Sequence, residues 1–315
     1  MTSTQEIKSI QRKIDFAVFF SVQNANPNGD PLNENRPRMT SSGFGEISDV
    51  CIKRKIRDRL KENKKEILIE MTEKSGQTLS DKIKIIEKEI KKQNKDEKES
   101  NCQKLSLNIS QEACKKWFDV RAFGQVVPLK ESEISKHGLS IAIRGPVSIH
   151  PAFSLHRVRV TNIQITKCMN NTHEETGKSS DTMGLKHRID HGIYRFYGSI
   201  NPQLAEKTGF TEEDAESLRK ILPRLFENDC SSSRPEGSMR ILKVLWWIHD
   251  TKNPKYSSAY LYDSIKFLEE KDANGQLLEQ NIKLLQDLCT ENLKEKILQR
   301  FESLERVTLE IENGF

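Results

Sequence analysis

A chain of 315 residues, 35% hydrophobic and 31% charged, is long enough to bury a core and charge-rich enough to be water-soluble. No window of about eighteen residues is continuously apolar, so no membrane span is expected, and the opening M-T-S-T-Q-E-I-K-S-I-Q-R lacks the apolar stretch of a secretory signal. Net charge is a mild +5, and the six cysteines (Cys51, Cys102, Cys114, Cys168, Cys230, Cys289) form no C-x-x-C pair, which predicts reduced thiols in a cytoplasmic setting rather than a disulfide framework or a zinc knuckle.

After a polar stretch over residues 1–13, the apolar run Ile14–Val22 predicts a strand. It empties into N-A-N-P-N-G-D-P-L-N-E-N-R-P-R (Asn24 to Arg38), an amide-, Gly- and Pro-rich loop carrying Arg36 and Arg38. Ser48 is placed to cap a helix, with Asp49 favoured in its first turn by the macrodipole. On that helix Ile52, Ile56 and Leu60 recur at i, i+4 and i+8 and predict the packed face. Lys53, Arg54 and Arg57 lie on one flank of it, Lys55 and Arg59 on the other. Amides in a loop and cations on a helix beside a strand suit a nucleic-acid backbone better than a small metabolite.

Residues 61–104 hold 12 Lys and 10 Asp/Glu among 44 positions, so half the stretch is charged yet nearly neutral. Ile83, Ile86 and Ile90 keep a helical rhythm, which predicts a helical excursion with a flexible tip near Lys91–Cys102, inserted into the domain and not part of its core. Trp117–Val127, Ser140–Ile149 and Leu155–Thr166 read as strand-rich core segments, the second broken at Gly145–Pro146. Residues 167–183 are polar and β-poor ahead of the apolar-aromatic run Gly192–Ile200, as at the tip of a protruding hairpin. Thr211 opens a helix with Glu212, Glu213 and Asp214 in its first turn; Leu218, Ile221, Leu222 and Leu225 form its buried stripe, ended or kinked by Pro223. Met239–Ile248 predicts a buried strand, 277–305 a helix and Arg306–Ile311 a closing strand. This order suggests an α+β sandwich of the ferredoxin or RNA-recognition type with long insertions, whose open sheet face can serve as an RNA platform. Phe16, Phe19 and Phe20 fit core packing better than stacking on bases.

The residues offer little chemistry. In H-R-I-D-H (His187 to His191) two His stand at i, i+4, but Arg188 occupies the place of the zincin glutamate and no Cys lies nearby; Gly184 and Gly192 argue against a long helix. A backbone or phosphate contact from Lys186 and His187, or a structural His, fits better. Asp30 in N-G-D-P is a candidate carboxylate, though such an Asp is usually a turn residue. Ser42–Gly45 (S-G-F-G) is neither a dinucleotide fingerprint nor a P-loop, and Ser232 and Ser233 sit in no nucleophile elbow. No enzyme site, cofactor or metal is expected.

Several segments resemble, in order, the guide-RNA-binding backbone subunit of type I CRISPR Cascade complexes, and most of all its Csd-type form from type I-C. They are N-P-N-G-D-P (Asn26 to Pro31), N-R-P-R (Asn35 to Arg38) and D-V-C-I-K-R-K-I-R (Asp49 to Arg57). W-F-D-V-R-A-F-G (Trp117 to Gly124) and I-R-G-P-V-S-I (Ile143 to Ile149) follow. The longest is M-G-L-K-H-R-I-D-H-G-I-Y-R-F-Y-G-S-I-N-P (Met183 to Pro202), and a weaker one is F-E-N-D-C-S-S-S-R-P-E-G (Phe226 to Gly237). The resemblance implies a single α+β domain over 1–315: a modified ferredoxin-like, RNA-recognition-type palm, helical fingers inserted at about 61–116, and a β-hairpin thumb at about 165–185. It implies copies stacked head-to-tail along one CRISPR RNA (crRNA), whose backbone would contact Asn24, Asn26, Asn28, Arg36, Arg38, Lys53, Arg54, Arg57, Lys186 and His187. Partners implied are target DNA reached through guide pairing, large, small and crRNA-processing subunits, and a recruited helicase-nuclease that does the cutting. Two rivals remain: a target-RNA endonuclease of the type III kind using Asp30, and a standalone RNA-binding protein.

Overall fold

The computed structural model describes residues 9–70, 78–93, 102–129, 139–166, 183–300 and 306–315. Strand β1 (Ile14–Ala25) leads into the short hairpin β2 (Gly29–Asp30) and β3 (Arg36–Pro37), strand β4 (Phe44–Ile47) and helix α1 (Asp49–Glu62). Helices α2 (Leu79–Gln93), α3 (Cys102–Lys116) and α4 (Phe118–Phe123) come next. Strands β5 (Gly124–Leu129), β6 (Leu139–Arg144), β7 (Val147–Ile149), β8 (Ala152–Arg157), β9 (Val160–Thr166) and the long β10 (Met183–Ile200) follow. Helices α5 (Pro202–Thr208) and α6 (Glu212–Ile221), strand β11 (Met239–His249), helices α7 (Ser258–Asp263), α8 (Glu279–Gln286) and α9 (Glu291–Gln299), and strand β12 (Val307–Asn313) complete the order. The main sheet runs β12-β11-β1-β10-β8-β4 with antiparallel neighbours, and β7 and β9 also pair with β10.

β1 is central because it is apolar on both faces. Phe16, Val18, Phe20 and Val22 point into one core with Ile52, Ile56 and Leu60 of α1 and Leu218 and Ile221 of α6. Ala17 and Phe19 point the other way, with Leu245 and Trp247 of β11, into a second core closed by Leu261, Leu285, Leu293 and Ile297. Phe16, Phe19 and Phe20 are at most 1% exposed, so they are core residues and not base-stacking platforms. The expected open face of the sheet is covered by α7, α8 and α9 among the described residues, because the C-terminal segment carries its own apolar stripe. The face is therefore closed by these helices, and among the described residues only the rim of the sheet is left to bind a ligand.

Tight packing extends to the glycines of β10. A Cβ on Gly198 would fall 2.2 Å from Phe16 Cζ, and the Phe16 ring is stacked on Trp246 at 5.0 Å. Gly198→Ala should therefore destabilise the fold by about 1–3 kcal/mol through overpacking. Chemical denaturation would register this, and an unchanged midpoint would mean the Phe16–Trp246 stack can shift freely.

Beneath the sheet's end, Asp15 is fully buried, with Lys13 Nζ at 2.9 Å and His249 Nε2 at 2.9 Å. Burial alone raises this carboxyl, but the His249 hydrogen bond, the Lys13 charge and hydrogen bond, and Ser258 together outweigh it and hold it below its ordinary 3.8. Its stabilising contribution is thus present above that value and lost as pH falls through the folded-state one. Lys13→Met removes a cation that favours the charged form, so acid unfolding followed by circular dichroism should begin at higher pH than in the parent. An unmoved acid midpoint would show that His249 suffices.

Helix α1 starts as its sequence predicts, with Ser48 Oγ accepting from Cys51 N at 3.2 Å. α6 opens on a capping box between Thr211 and Asp214, and its stripe continues through a 3-10 turn at Leu222–Arg224 containing Pro223. The segment 277–305 forms two helices, interrupted where Asp287 Oδ1 accepts from Cys289 N at 2.9 Å; residues 301–305 lie outside the described ones. The charged insertion is helical and stays out of the two main cores, as expected, and it builds a small core of its own from Ile83, Ile86, Ile90, Ile109, Trp117 and Val127. An expected strand is not formed: Phe118–Phe123 is helical. Phe118 and Ala122 enter the first core and Val120 that of the insertion, so apolar residues on two sides of α4 hide its period. Of the expected fingers tip, residues 94–101 lie outside the described residues, as do 167–182 of the expected thumb. The strands flanking that gap pair, Thr166 opposite Met183 through Val160 opposite Ile189. No helix among the described residues is long and apolar enough to cross a membrane.

Candidate nucleic-acid interface

Where β1 ends, four segments meet: the loop 24–38, the start of α1, the first half of β10 and the loop 226–238. Asn24, one residue before β1 ends, takes a left-handed φ of 51°, a conformation Asn tolerates, and Ala25 still pairs with Ile189 beyond it. Asn26 is 3% exposed; its backbone N–H donates to Ser233 O at 2.9 Å and its Nδ2 to Asn35 O at 2.7 Å, while its Oδ1 has no partner. Asn28 Oδ1 accepts from both the N–H (3.0 Å) and the hydroxyl (3.1 Å) of Ser48, tying the loop to the cap of α1. These amides fix the loop's own shape first.

The cations divide into two sets. Arg36 pairs with Glu34 at 3.5 Å and Arg38 with Asp30 at 3.4 Å, both partly exposed. Asp30 also accepts from Leu32 N at 3.3 Å, and its carbonyl accepts from the N–H groups of Asn33 and Asn35, so it is built into a turn. On α1, Lys53 pairs with Asp49 at 2.9 Å and Arg54, 61% exposed, stands 3.8 Å from Asp58. Arg57 is spoken for: it donates to Asp119 Oδ2 at 2.9 Å and lies over the Phe123 ring. Asp119 also accepts from the N–H groups of Leu68 (2.8 Å) and Ile69 (3.1 Å), so Arg57 belongs to the joint between α1, the insertion and α4. Lys55 and Arg59, expected on an exposed flank, are buried and paired with Asp229 and Glu62.

Lys186 donates its Nζ to Ser232 O. His187 is buried with Nδ1 2.7 Å from Asn162 Oδ1, and its Nε2 has no partner. The H-R-I-D-H run is extended in β10, and the His191 ring stacks on His156 at 6.1 Å instead of sharing contacts with His187. Burial, then the neighbouring His156, pushes the His191 imidazole below its ordinary value. The structure thus gathers Asn26, Asn28, Lys186 and the turn bearing Arg36 and Arg38, with Lys53 and Arg54 on the adjoining helix. Arg57 is turned toward the insertion.

Sequence reasoning marked the loop 226–238 only as a weaker matching segment and put none of its residues among the guide contacts; the structure makes it a wall of this site. Behind it lies a cavity of about 270 Å³ lined among others by Arg224, Phe226, Arg234 and Arg240. What converges at this rim is main-chain carbonyls, amides and cations, a set that grips phosphate and ribose rather than one particular base.

Comparison with known proteins bears on the same span. A CRISPR-associated protein Cas7 of Haloferax volcanii is 27% identical over 233 residues, which are 69% of this chain and 65% of that relative; the chain thus spans about two thirds of the relative's length. Two solved chains, from a "CRISPR RNA-guided surveillance complex, pre-nicking" and a "CRISPR RNA-guided surveillance complex", are 14% identical. The first has a TM-score of 0.48, covering 91% of this chain and 87% of its own; the second has 0.47, covering 96% and 88%. The family described as CRISPR-associated protein Cas7 matches residues 12–285, from the start of β1 into α8 and through every segment of the rim, so the chain belongs to the Cas7 family.

Proposed function

We propose that this protein is the repeating backbone subunit of a type I CRISPR RNA-guided surveillance complex, a Cascade of the type I-C kind. It holds the sugar-phosphate backbone of the guide and presents the spacer for pairing with target DNA. Family membership over residues 12–285 carries this role. The chemistry of the rim supports it: a subunit that must accept any spacer should grip phosphates and riboses and leave sequence to base pairing.

The strand order supports an RNA-recognition-type palm. β1, α1, β8, β10, α6 and β11 follow one another as β-α-β-β-α-β, with the strands arranged β11-β1-β10-β8. The helices α2 and α3 are then the fingers of 61–116, and the β9–β10 ladder the stem of the thumb at 165–185. Asn24, Asn28, Arg36, Arg38, Lys53, Arg54 and Lys186 are the proposed guide contacts; Asn26 and His187, each 3% exposed, act by shaping the rim from beneath, and Arg57 by holding α1 against the fingers. Copies stack head-to-tail, a heterologous contact that does not close on itself. The subunit cuts nothing; large, small and crRNA-processing subunits complete the particle, and a recruited helicase-nuclease destroys the target in the cytoplasm.

The test is to isolate the protein from its host, sequence the RNA that comes with it and size the particle. Short RNAs with a repeat-derived end and variable spacers, in a particle several times the monomer mass, are expected. Mixed cellular RNA on a monomer would sink the proposal. Regular, metal-dependent cuts in target RNA that vanish in Asp30→Ala would replace it with a nuclease.

A further inference from the structure

The loop 226–238 is anchored at both levels. At its root, the Phe226 ring packs against Phe20 of the core at 5.1 Å. Above that, the contacts are polar and run to every other segment of the rim. Gln23 N donates to Ser238 O at 2.8 Å, Asn26 N to Ser233 O at 2.9 Å, and Lys186 Nζ to Ser232 O. The loop's carbonyls therefore hold one proposed guide contact, Lys186, and the buried Asn26 that shapes the guide-contacting loop. The loop's own position is set by charge: Asp229 accepts from Lys55 of α1 and has Arg234 Nε at 3.3 Å. Lys55 is 4% exposed, with its ammonium 5.6 Å from the Phe226 ring centroid, so it cannot reach a ligand phosphate in this conformation. Burial pulls its ammonium below its ordinary range, with Asp229 opposing that shift.

A buried cation is costly unless its carboxylate is held in place, and the pair is strong only when both groups are fixed. Here the fixing joins α1 to the loop whose carbonyls hold Asn26 and Lys186. We propose that Lys55 and Asp229 are positioning residues for guide binding, an inference that rests on the guide-binding role above. Their ion pair clamps the 229–238 loop to α1, and so sets where Lys186 and the loop shaped by Asn26 meet the RNA. Lys55 itself contacts no phosphate.

The experiment measures binding of a fluorescent single-stranded RNA to the full chain across a salt series, for the parent, Lys55→Met, Asp229→Asn and Lys55→Arg. Thermal unfolding is recorded in parallel, and binding is compared where every variant is folded. Lys55→Met and Asp229→Asn should each weaken binding about tenfold, as misplaced contacts do, with the dependence of affinity on salt unchanged. Lys55→Arg, which restores the pair, should recover most of the loss. Unchanged affinity of the folded Lys55→Met and Asp229→Asn proteins would overturn the inference and leave the pair a stabilising one only. A salt slope lowered by about 0.7 in Lys55→Met but not in Asp229→Asn would overturn it too, since Lys55 would then be a phosphate contact. A parent chain that binds no RNA at any salt would instead remove the guide-binding role itself.

Discussion

Asp119→Ala is expected to cost about 3–5 kcal/mol of stability. Asp119 is 1% exposed and serves three donors: Arg57 Nε and the N–H groups of Leu68 and Ile69. Alanine would leave a largely buried guanidinium without its counter-charge, and the buried Leu68 amide and the partly buried Ile69 amide without an acceptor. The melting temperature should fall by on the order of 10 °C. Asp119→Asn keeps an acceptor but loses the charge and should lie between the two. If Asp119→Ala melts within about 2 °C of the parent, the joint is not carrying the load assigned to it.

Replacing Arg38, Lys53 and Arg54 together by alanine should weaken RNA binding on the order of a hundredfold without unfolding the chain. These three have partly exposed side chains with weak, solvent-screened acid partners, at 3.4 Å, 2.9 Å and 3.8 Å. Giving up such partners to a phosphate costs little, so they are the cations free to serve the guide. Arg57 is left out of the combination because its loss would disturb the Asp119 joint and confuse folding with binding. On single-stranded RNA each lost phosphate contact lowers the slope of log affinity against log salt by about 0.7, so three should lower it by about 2, for every RNA sequence alike. An unchanged slope would move the phosphate track elsewhere on the rim; a loss confined to one RNA sequence would mean bases are being read.

Much of the main sheet was legible in the sequence because its strands are long and apolar. Ile14–Val22 and Met239–Ile248 both appear within about three residues of their predicted ends, as β1 and β11. Capping chemistry located α1 and α6, since Ser48 and Thr211 each precede an acidic first turn. What was illegible has a common physical cause. α4 is apolar on two sides, and its period vanished. The C-terminal helices announced an apolar stripe, but nothing local said which surface it would cover, and so the sheet seemed to have an open face. The short pairings β2–β3 and β4 depend on partners distant in sequence or on turn residues alone.

The site was legible in residue type more than in residue role. The basic run Lys53–Arg59 was visible, but which cations face solvent depends on Asp119 and Asp229, which lie 62 and 174 positions away from Arg57 and Lys55. Charge pairs formed over such separations leave no local spacing to read. Asn26 and Asn28 were singled out for contacting a ligand, and the structure gives them an earlier duty in shaping the loop that would do so.

Strand β10 is continuous from Met183 to Ile200. Its first part pairs with β9, and the rest pairs with β1 at the centre of the sheet, Ile189 taking part in both ladders. A tug on the far end of the β9–β10 stem, along the strand, would load the β10–β1 ladder in shear. Every hydrogen bond of that ladder would then share the force, where peeling would break them one at a time. The β9–β10 ladder is in this sense rooted in the central strand pair of the sheet.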